Sequence, residues 1–465
     1  MNNSSKVSPT VLGIEPVGKL LKTYAIPAII AMTASSLYNM IDSIFIGHGV
    51  GAYAISGIAV TFPLMNLAAA FGTLVGVGAS TLISVLLGQR NYEAATKVLS
   101  NTVTLCLITG IAFSILTLSF LDPILYFFGA SENTIVYARD YMRVILLGNV
   151  ITHLYLGLNN LQRAIGEPKK AMGATLFTVI LNIALAPVFI FVFGMGVSGA
   201  AIATVIAQLL AAVYVFWEFT RKTKAVHFGK RILILDKRIA KDSLSIGFAP
   251  FLMNVAACVI VIFLNKQMMR YGGDLAIGAY GIVNRISFLF VMIVMGLNQG
   301  MQPISGYNYG ARQYKRVREV FWKTVKFATM IMCVGFLLGL VFPKTVSGIF
   351  TSDAELVRLS AMGLSITVLM FPLVGFQMVT SNFFQSMGMV SKAIWLSLSR
   401  QILFLLPCIF LLPYLFRENP IQGVWASFPV SDLLASVLAA IMLKGLMNKF
   451  DKLNDGDDPA ILGGI

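Results

Sequence analysis

What most constrains this chain is the recurrence of apolar runs long enough to cross a bilayer, among them residues 103–120 and 327–341. About twelve such runs follow one another, each near the length that roughly 30 Å of hydrocarbon requires. Lipid offers no partner to a free backbone N–H or C=O, so runs of this length must be helices. The sequence predicts an all-α integral membrane protein with about twelve transmembrane helices. Composition agrees, with 57% hydrophobic residues, 12% charged residues and a mean hydropathy of +0.81, values that do not suit a soluble globule.

The net charge of +15 might suggest nucleic acid, but its placement decides otherwise. Most Lys and Arg residues fall in or beside the termini and alternate loops, the pattern of cytoplasmic loops under the positive-inside rule. That charge sets orientation, with both termini cytoplasmic. Residues 1–17 lack a charged n-region followed by a short apolar stretch and a cleavage site, so no cleaved signal peptide is expected. Cys106, Cys258, Cys333 and Cys408 sit in apolar runs without CxxC spacing, and His48, His153 and His227 are scattered. Neither set implies a disulfide framework or a metal site.

Spans one and two cover roughly 19–47 and 54–87, joined by a Gly-rich turn at 48–51. The basic loop 88–97 should face the cytoplasm, whereas Asp122-Pro123 and Ser131-Glu132-Asn133 read as punctuation of an external loop, Pro as breaker and Ser as N-cap. Residues 160–170 close span four on the cytoplasmic side. Gly194, Gly196 and Gly199 form the next external turn, and the small residues of 200–204 suit close helix contact. Residues 223–240 read as a cytoplasmic linker between an N-lobe, 1–222, and a C-lobe, 241–450, with a disordered tail at 451–465.

The second half repeats the first. A shift of about 222 residues lays Gly88-Gln89-Arg90-Asn91-Tyr92 on Gly310-Ala311-Arg312-Gln313-Tyr314, and pairs Asn160 with Asn382 and Gly166 with Gly388. With slips of one or two residues, Pro27 meets Pro250 and Gly199 meets Gly423. Each half holds about six spans, an even number, so the repeat is parallel about an axis along the membrane normal. The expected architecture is two pseudo-symmetric six-helix lobes around a central cleft.

Acidic residues are the sparse class. Nearly all 20 Asp and Glu fall in loops or tails, and only Asp42 and Asp432 fall well inside spans. An intramembrane carboxylate costs roughly 3 kcal/mol on insertion scales and normally marks function. Asp42 could instead be a helix-end residue meeting headgroups, and Asp432 an N-cap-like residue beside Pro429. Asn265 holds in the second half the position that Asp42 holds in the first, so the halves are chemically unequal. A carboxylate in a partly dehydrated cavity can exchange a proton near neutral pH or hold a monovalent cation, which suits coupling to an ion gradient. Tyr38, Asn160 and Asn182 are further polar residues inside spans, as are Thr204, Asn254, Gln377 and Gln401, each of which can equally be interhelical glue. Asn284, Arg285 and Arg400 are more pointed, because a guanidinium inside a span needs a partner; Asp432 is the candidate partner for Arg400. No GxxxxGK[ST] loop and no catalytic Ser/His/Asp or HExxH pattern appears, so the chain reads as neither an ATP-driven pump nor an enzyme.

The chain resembles the MATE (multidrug and toxic compound extrusion) family over roughly 19–449. The resemblance rests on Tyr-Asn-Met-Ile-Asp at 38–42, Gly-Gln-Arg-Asn-Tyr at 88–92, Arg-Ala-Ile-Gly at 163–166, Gly-Val-Ser-Gly-Ala-Ala-Ile-Ala-Thr at 196–204 and Gln-Gly-Met-Gln-Pro-Ile-Ser-Gly-Tyr-Asn-Tyr-Gly-Ala at 299–311. The last stretch, with Ser399-Arg400-Gln401 and Ser431-Asp432, is most similar to the MepA-like bacterial branch. The resemblance implies lobes that alternate between outward and inward openings, exporting organic, often cationic and aromatic compounds in exchange for H+ or Na+, H+ being the first choice. It implies a multi-pass protein of the bacterial plasma membrane, monomeric, with small-molecule drugs or toxins as partners and neither a cofactor nor a nucleic-acid ligand. By similarity Asp42 is the ion-coupling carboxylate, with Tyr38, Asn160, Asn182 and Thr204 in an N-lobe pocket. Asn265, Asn284, Arg285, Gln299, Arg400 and Asp432 are the C-lobe cleft candidates. Two departures stand out: Ala186 occupies the place of a fifth-span aspartate, and no carboxylate lies in spans seven or ten, which concentrates coupling on Asp42. A flippase for anionic lipid-linked sugars, with Arg285, Arg400 and Lys266 binding phosphate, is the alternative. A third reading is a membrane scaffold whose polar residues merely join helices.

Overall fold

The structure, a computed structural model, describes residues 11–50, 52–128, 130, 132–221, 226–229, 231–350 and 354–457. It also leaves aside the side chains of 37, 39, 40, 42–44, 47–49, 52, 53, 55, 56, 59 and 274 within their helices. Among the described residues eleven helices are long and apolar enough to cross a membrane, and the bent pair Ile135–Leu147 and Asn149–Ala164, taken as one span, brings the crossings to the expected twelve. That pair turns by 54° at Gly148. A Cβ there would fall 2.4 Å from the Val205 side chain, so glycine lets the bend lie directly on span six.

Spans one to three are Val17–Gly49, Ala52–Gly88 and Tyr92–Ser119, and span four is the bent pair. Span five, Pro168–Val192, ends in a π-helical turn at Val188–Val192, and span six is Gly196–Thr220. Spans seven and eight, Lys237–Gly273 and Leu275–Gly310, meet at Gly273, whose φ of 65° breaks the helix. Spans nine to twelve are Tyr314–Val341, Ala354–Ser386, Val390–Leu415 and Pro420–Phe450. Span three ends at Ser119, and the expected punctuation Asp122-Pro123 sits in the first turn of a new short helix, Leu121–Phe127, where a proline removes no helical hydrogen bond. Ser131, expected as an N-cap, lies outside the described residues.

The repeat recurs in backbone detail. Arg90 and Arg312 both adopt the left-handed region, at φ 59° and 56°, and Gly166 and Gly388 do so at 100° and 72°. Gly166 N donates to Arg163 O and Glu167 N to Gln162 O; Gly388 N and Met389 N repeat this pattern on Gln385 O and Phe384 O. Asn160 and Asn382 each turn their amide back onto a carbonyl one turn earlier, Leu156 O at 2.9 Å and Met378 O at 3.0 Å.

Two compact units result, assembled differently from the lobes drawn at 1–222 and 241–450. One is built on Ile30–Phe251 with Gly306–Ala311; the other holds Pro16–Ile29, Leu252–Ser305 and residues 312–457. The boundaries fall beside the paired prolines, Pro27 and Pro250. Glycine explains which segments join which unit. In the first, a Cβ on Gly78 would fall 1.8 Å from Ser243 O, and one on Gly247 the same distance from Leu74 O. In the second, Gly296 and Gly300 pack on the backbone of Ile29 and Ala25, where an added Cβ would fall 2.6 and 2.5 Å from their Cα atoms. In lipid, tails compete equally for apolar surface, so such backbone approach is what holds helices together.

The tail also departs from expectation. Residues 451–457 dock on the start of span nine: Gly456 N donates to Arg312 O, Tyr314 Oη to Asp457 O at 2.7 Å, and Asp451 accepts from Arg318 at 2.6 Å. The short carboxylates answer the basic loop and the free N–H groups of the helix N-terminus, Lys315 N donating to Asp455 Oδ1. The remainder of the tail, 458–465, lies outside the described residues.

Candidate functional site

The structure gathers three residues separated widely in sequence. Tyr38 from span one, Asn182 from span five and Thr204 from span six form one hydrogen-bonded cluster. Asn182 Nδ2 donates to Thr204 Oγ1 at 2.8 Å and reaches Tyr38 Oη at 3.5 Å, while Tyr38 Oη and Thr204 Oγ1 are 3.0 Å apart. Thr204 Oγ1 also donates to Ala200 O at 3.1 Å. A hydroxyl has one proton and two lone pairs, so with its proton on Ala200 it accepts from both neighbours, and Tyr38 is the donor of their shared bond. The threonine is fully satisfied. Asn182 is not: its Oδ1 is buried and has no hydrogen-bond donor among the described residues. A buried acceptor without a donor costs about 1–3 kcal/mol, so the cluster is poised for a cation or a proton-bearing group.

Local sequence explains the arrangement. Ala200, Ala201 and Ala203 are fully buried, and their small side chains let span six approach closely enough for Thr204 to be reached from two other spans. Position 42 lies one helical turn beyond Tyr38 in the unbroken helix Val17–Gly49. The side chain of Asp42 itself lies outside the described residues. Ala186, one turn beyond Asn182, is fully buried within the apolar core of this unit.

Asn160 does not join the cluster. Its amide nitrogen is held by Leu156 O, and its Oδ1 accepts from the buried Arg163 guanidinium at 2.6 Å. Arg400 and Asp432 do meet, Nε donating to Oδ1 at 2.6 Å with the aspartate buried. Asp432 lies in the middle of Pro420–Phe450, so the pairing stands in place of the N-cap reading. The arginine sits in a π-helical turn, Ser399–Leu405, a distortion that re-aims a side chain within a helix. Asn265 and Gln299 are half-buried on spans seven and eight, and Asn284 and Arg285 are exposed on span eight. Among the described residues, Asn265, Asn284 and Arg285 share no hydrogen bond with the Arg400–Asp432 pair.

One polar contact between spans escaped the sequence reading. Thr152 Oγ1 donates to Gln208 Oε1 at 2.5 Å, tying span four to span six. Gln208 stands one turn beyond Thr204, and that i,i+4 spacing was the available signal. The buried His153 places Nε2 3.0 Å from Ala68 O and Nδ1 3.4 Å from Thr109 Oγ1, a satisfied core histidine.

A duplicated, all-helical, twelve-span membrane protein with a polar cluster inside one half is the class this architecture defines. Within that class, the MatE family model matches residues 27–188 and 246–411, more than half of the chain, and the chain belongs to this family. It is 28% identical to the multidrug export protein MepA of Staphylococcus haemolyticus, over 93% of this chain and 94% of that protein. It is 29% identical to the MepA of Staphylococcus aureus strain MSSA476, with the same coverage of each. Among solved structures, an outward-facing multidrug resistance MATE family transporter of the MOP superfamily superposes with a TM-score of 0.88 at 25% identity, over 97% of this chain and 100% of that one.

Proposed function

We propose that this chain is a secondary active multidrug exporter that exchanges organic, often cationic and aromatic compounds for H+ or Na+ by alternating access. It would reside in a bacterial plasma membrane with both termini cytoplasmic. The observation that carries the reading is the unsatisfied, buried Asn182 Oδ1 in the Tyr38–Asn182–Thr204 cluster, one helical turn from the position of an intramembrane aspartate. Such an acceptor gains a partner when a protonated carboxyl or a monovalent cation faces it and loses that partner when the proton or the cation leaves. This gives the site two states of different stability, and a conformational equilibrium shifts only through such differential binding. Asp42 is the group assigned to carry the ion, and the export named for the MepA relatives supplies the substrate class.

The flippase reading asks for free cations to hold phosphate. Arg400, one of the three it needs, is neutralised by Asp432 at 2.6 Å, which favours the exporter. The test is Asp42→Asn expressed in a drug-sensitive host. Ion-coupled export predicts loss of resistance at equal expression; unchanged resistance would count against it.

A further inference from the structure

Span one and span nine begin beside a basic cavity that the transport reading does not use. It has a volume of about 680 Å³, and its lining includes Lys19, Lys22, Lys323, Lys326, Phe327 and Met330. All lie in the second unit. Lys323 reaches across to span one, its Nζ standing 3.4 Å from where a Cβ on Gly18 would be. Each lysine pair is spaced i,i+3, so each pair shares one helix face. Lys22 is the last charged residue before the apolar run of span one, and Lys326 the last before the run 327–341. Lys19, Lys22 and Lys326 are exposed, whereas Lys323 is bound to Glu319 at 2.6 Å.

We infer that this cavity binds one anionic phospholipid, its phosphate among the lysines and its acyl chains along Phe327 and Met330. Two features separate this from a merely solvated face. Four lysines from two helices line one concavity, Lys323 among them bound to Glu319. The wall then turns apolar one turn beyond Lys323, at Phe327, and two turns beyond it at Met330, the order of headgroup and tail met on entering a bilayer. Basic pockets between transmembrane helices take anionic headgroups in this way, and ammonium groups serve a phosphate as point charges. A free phosphate would use the lysines alone and leave the apolar wall idle.

The test is native mass spectrometry of the purified full chain titrated with phosphatidylglycerol or phosphatidylcholine. The expected result is preferential retention of phosphatidylglycerol, weakened roughly twentyfold in the double variant Lys22→Gln/Lys326→Gln. Retention should survive in Lys22→Arg/Lys326→Arg and in a remote control beyond the other end of span nine, Lys344→Gln, and millimolar inorganic phosphate should not displace the lipid. Should the glutamine variant fail to fold, a fluorophore on Met330→Cys in the otherwise native chain gives a second readout, quenched by brominated phosphatidylglycerol several-fold more than by brominated phosphatidylcholine. Equal retention of the two lipids, unchanged binding in the folded glutamine variant, displacement by phosphate alone, or equal quenching would each overturn the assignment.

Discussion

At the scale of single residues, two polar groupings inside the membrane make opposite demands. Thr204 accepts from both Tyr38 and Asn182, so Thr204→Val removes the acceptor that the two share. The expected cost is about 1–3 kcal/mol, seen as a lower thermal midpoint in detergent, with a conservative Thr204→Ser close to the native value. The Arg400–Asp432 pair, with its carboxylate buried and its guanidinium 31% exposed, is more sensitive to losing one member than both. Asp432→Asn leaves the cation without its carboxylate and should cost roughly 1–3 kcal/mol, whereas Arg400→Met/Asp432→Leu should recover most of it. A double-mutant cycle in the same thermal assay checks this, and equal losses in single and double variants would refute it. Outside the spans, Asp122 accepts two hydrogen bonds from Arg139, near the start of span four, which hold its carboxyl below the usual carboxylate range. A depressed folded-state pKa gives stability that is present above the unfolded value, about 3.9, and is lost as pH falls through the folded value. The pair is partly exposed, so its share is well under about 1 kcal/mol. Asp122→Asn should flatten the acid limb of a stability profile by that small amount and leave the neutral region lower.

Elements were legible in the sequence where one residue type fixes the local geometry. The 222-residue register found from Gly88 and Gly310, Gly166 and Gly388, and Asn160 and Asn382 reappears as matched turns and matched side-chain bonds. Less legible was which carbonyl a polar side chain would choose. Asn160 belongs by similarity with Tyr38, yet its own helix offers Leu156 O one turn away, and a local bond of that kind competes with any distant partner. The tail misled because its composition is that of a disordered segment, while its partner, the N-terminus of span nine with Arg312 and Arg318, lies far away in sequence. The exchange of helix segments between units was likewise invisible, since glycine-to-carbonyl approach depends on surfaces remote along the chain. It is testable: Gly247→Val would drive side-chain atoms into Leu74 O, and loss of folded protein from the membrane is expected, whereas Gly173→Val, with open space around it, should be tolerated.

For the whole molecule, duplication supplied a scaffold whose halves then diverged chemically. The first carries Tyr38, Asn182, Thr204 and Asp42, and the second carries the closed Arg400–Asp432 pair. The proposed ion coupling is therefore assigned to the first half. This asymmetry predicts that neutralising Asp42 abolishes coupling, whereas Asp432→Asn reduces the amount of folded protein more than the transport rate per folded molecule. The most direct measurement is uptake of a fluorescent organic cation into inverted vesicles energised by an imposed proton gradient or, separately, by an imposed sodium gradient. The native chain should accumulate the cation under at least one gradient, the proton gradient first, and Asp42→Asn under neither. Equal gradient-driven uptake by the native chain and Asp42→Asn would contradict the account.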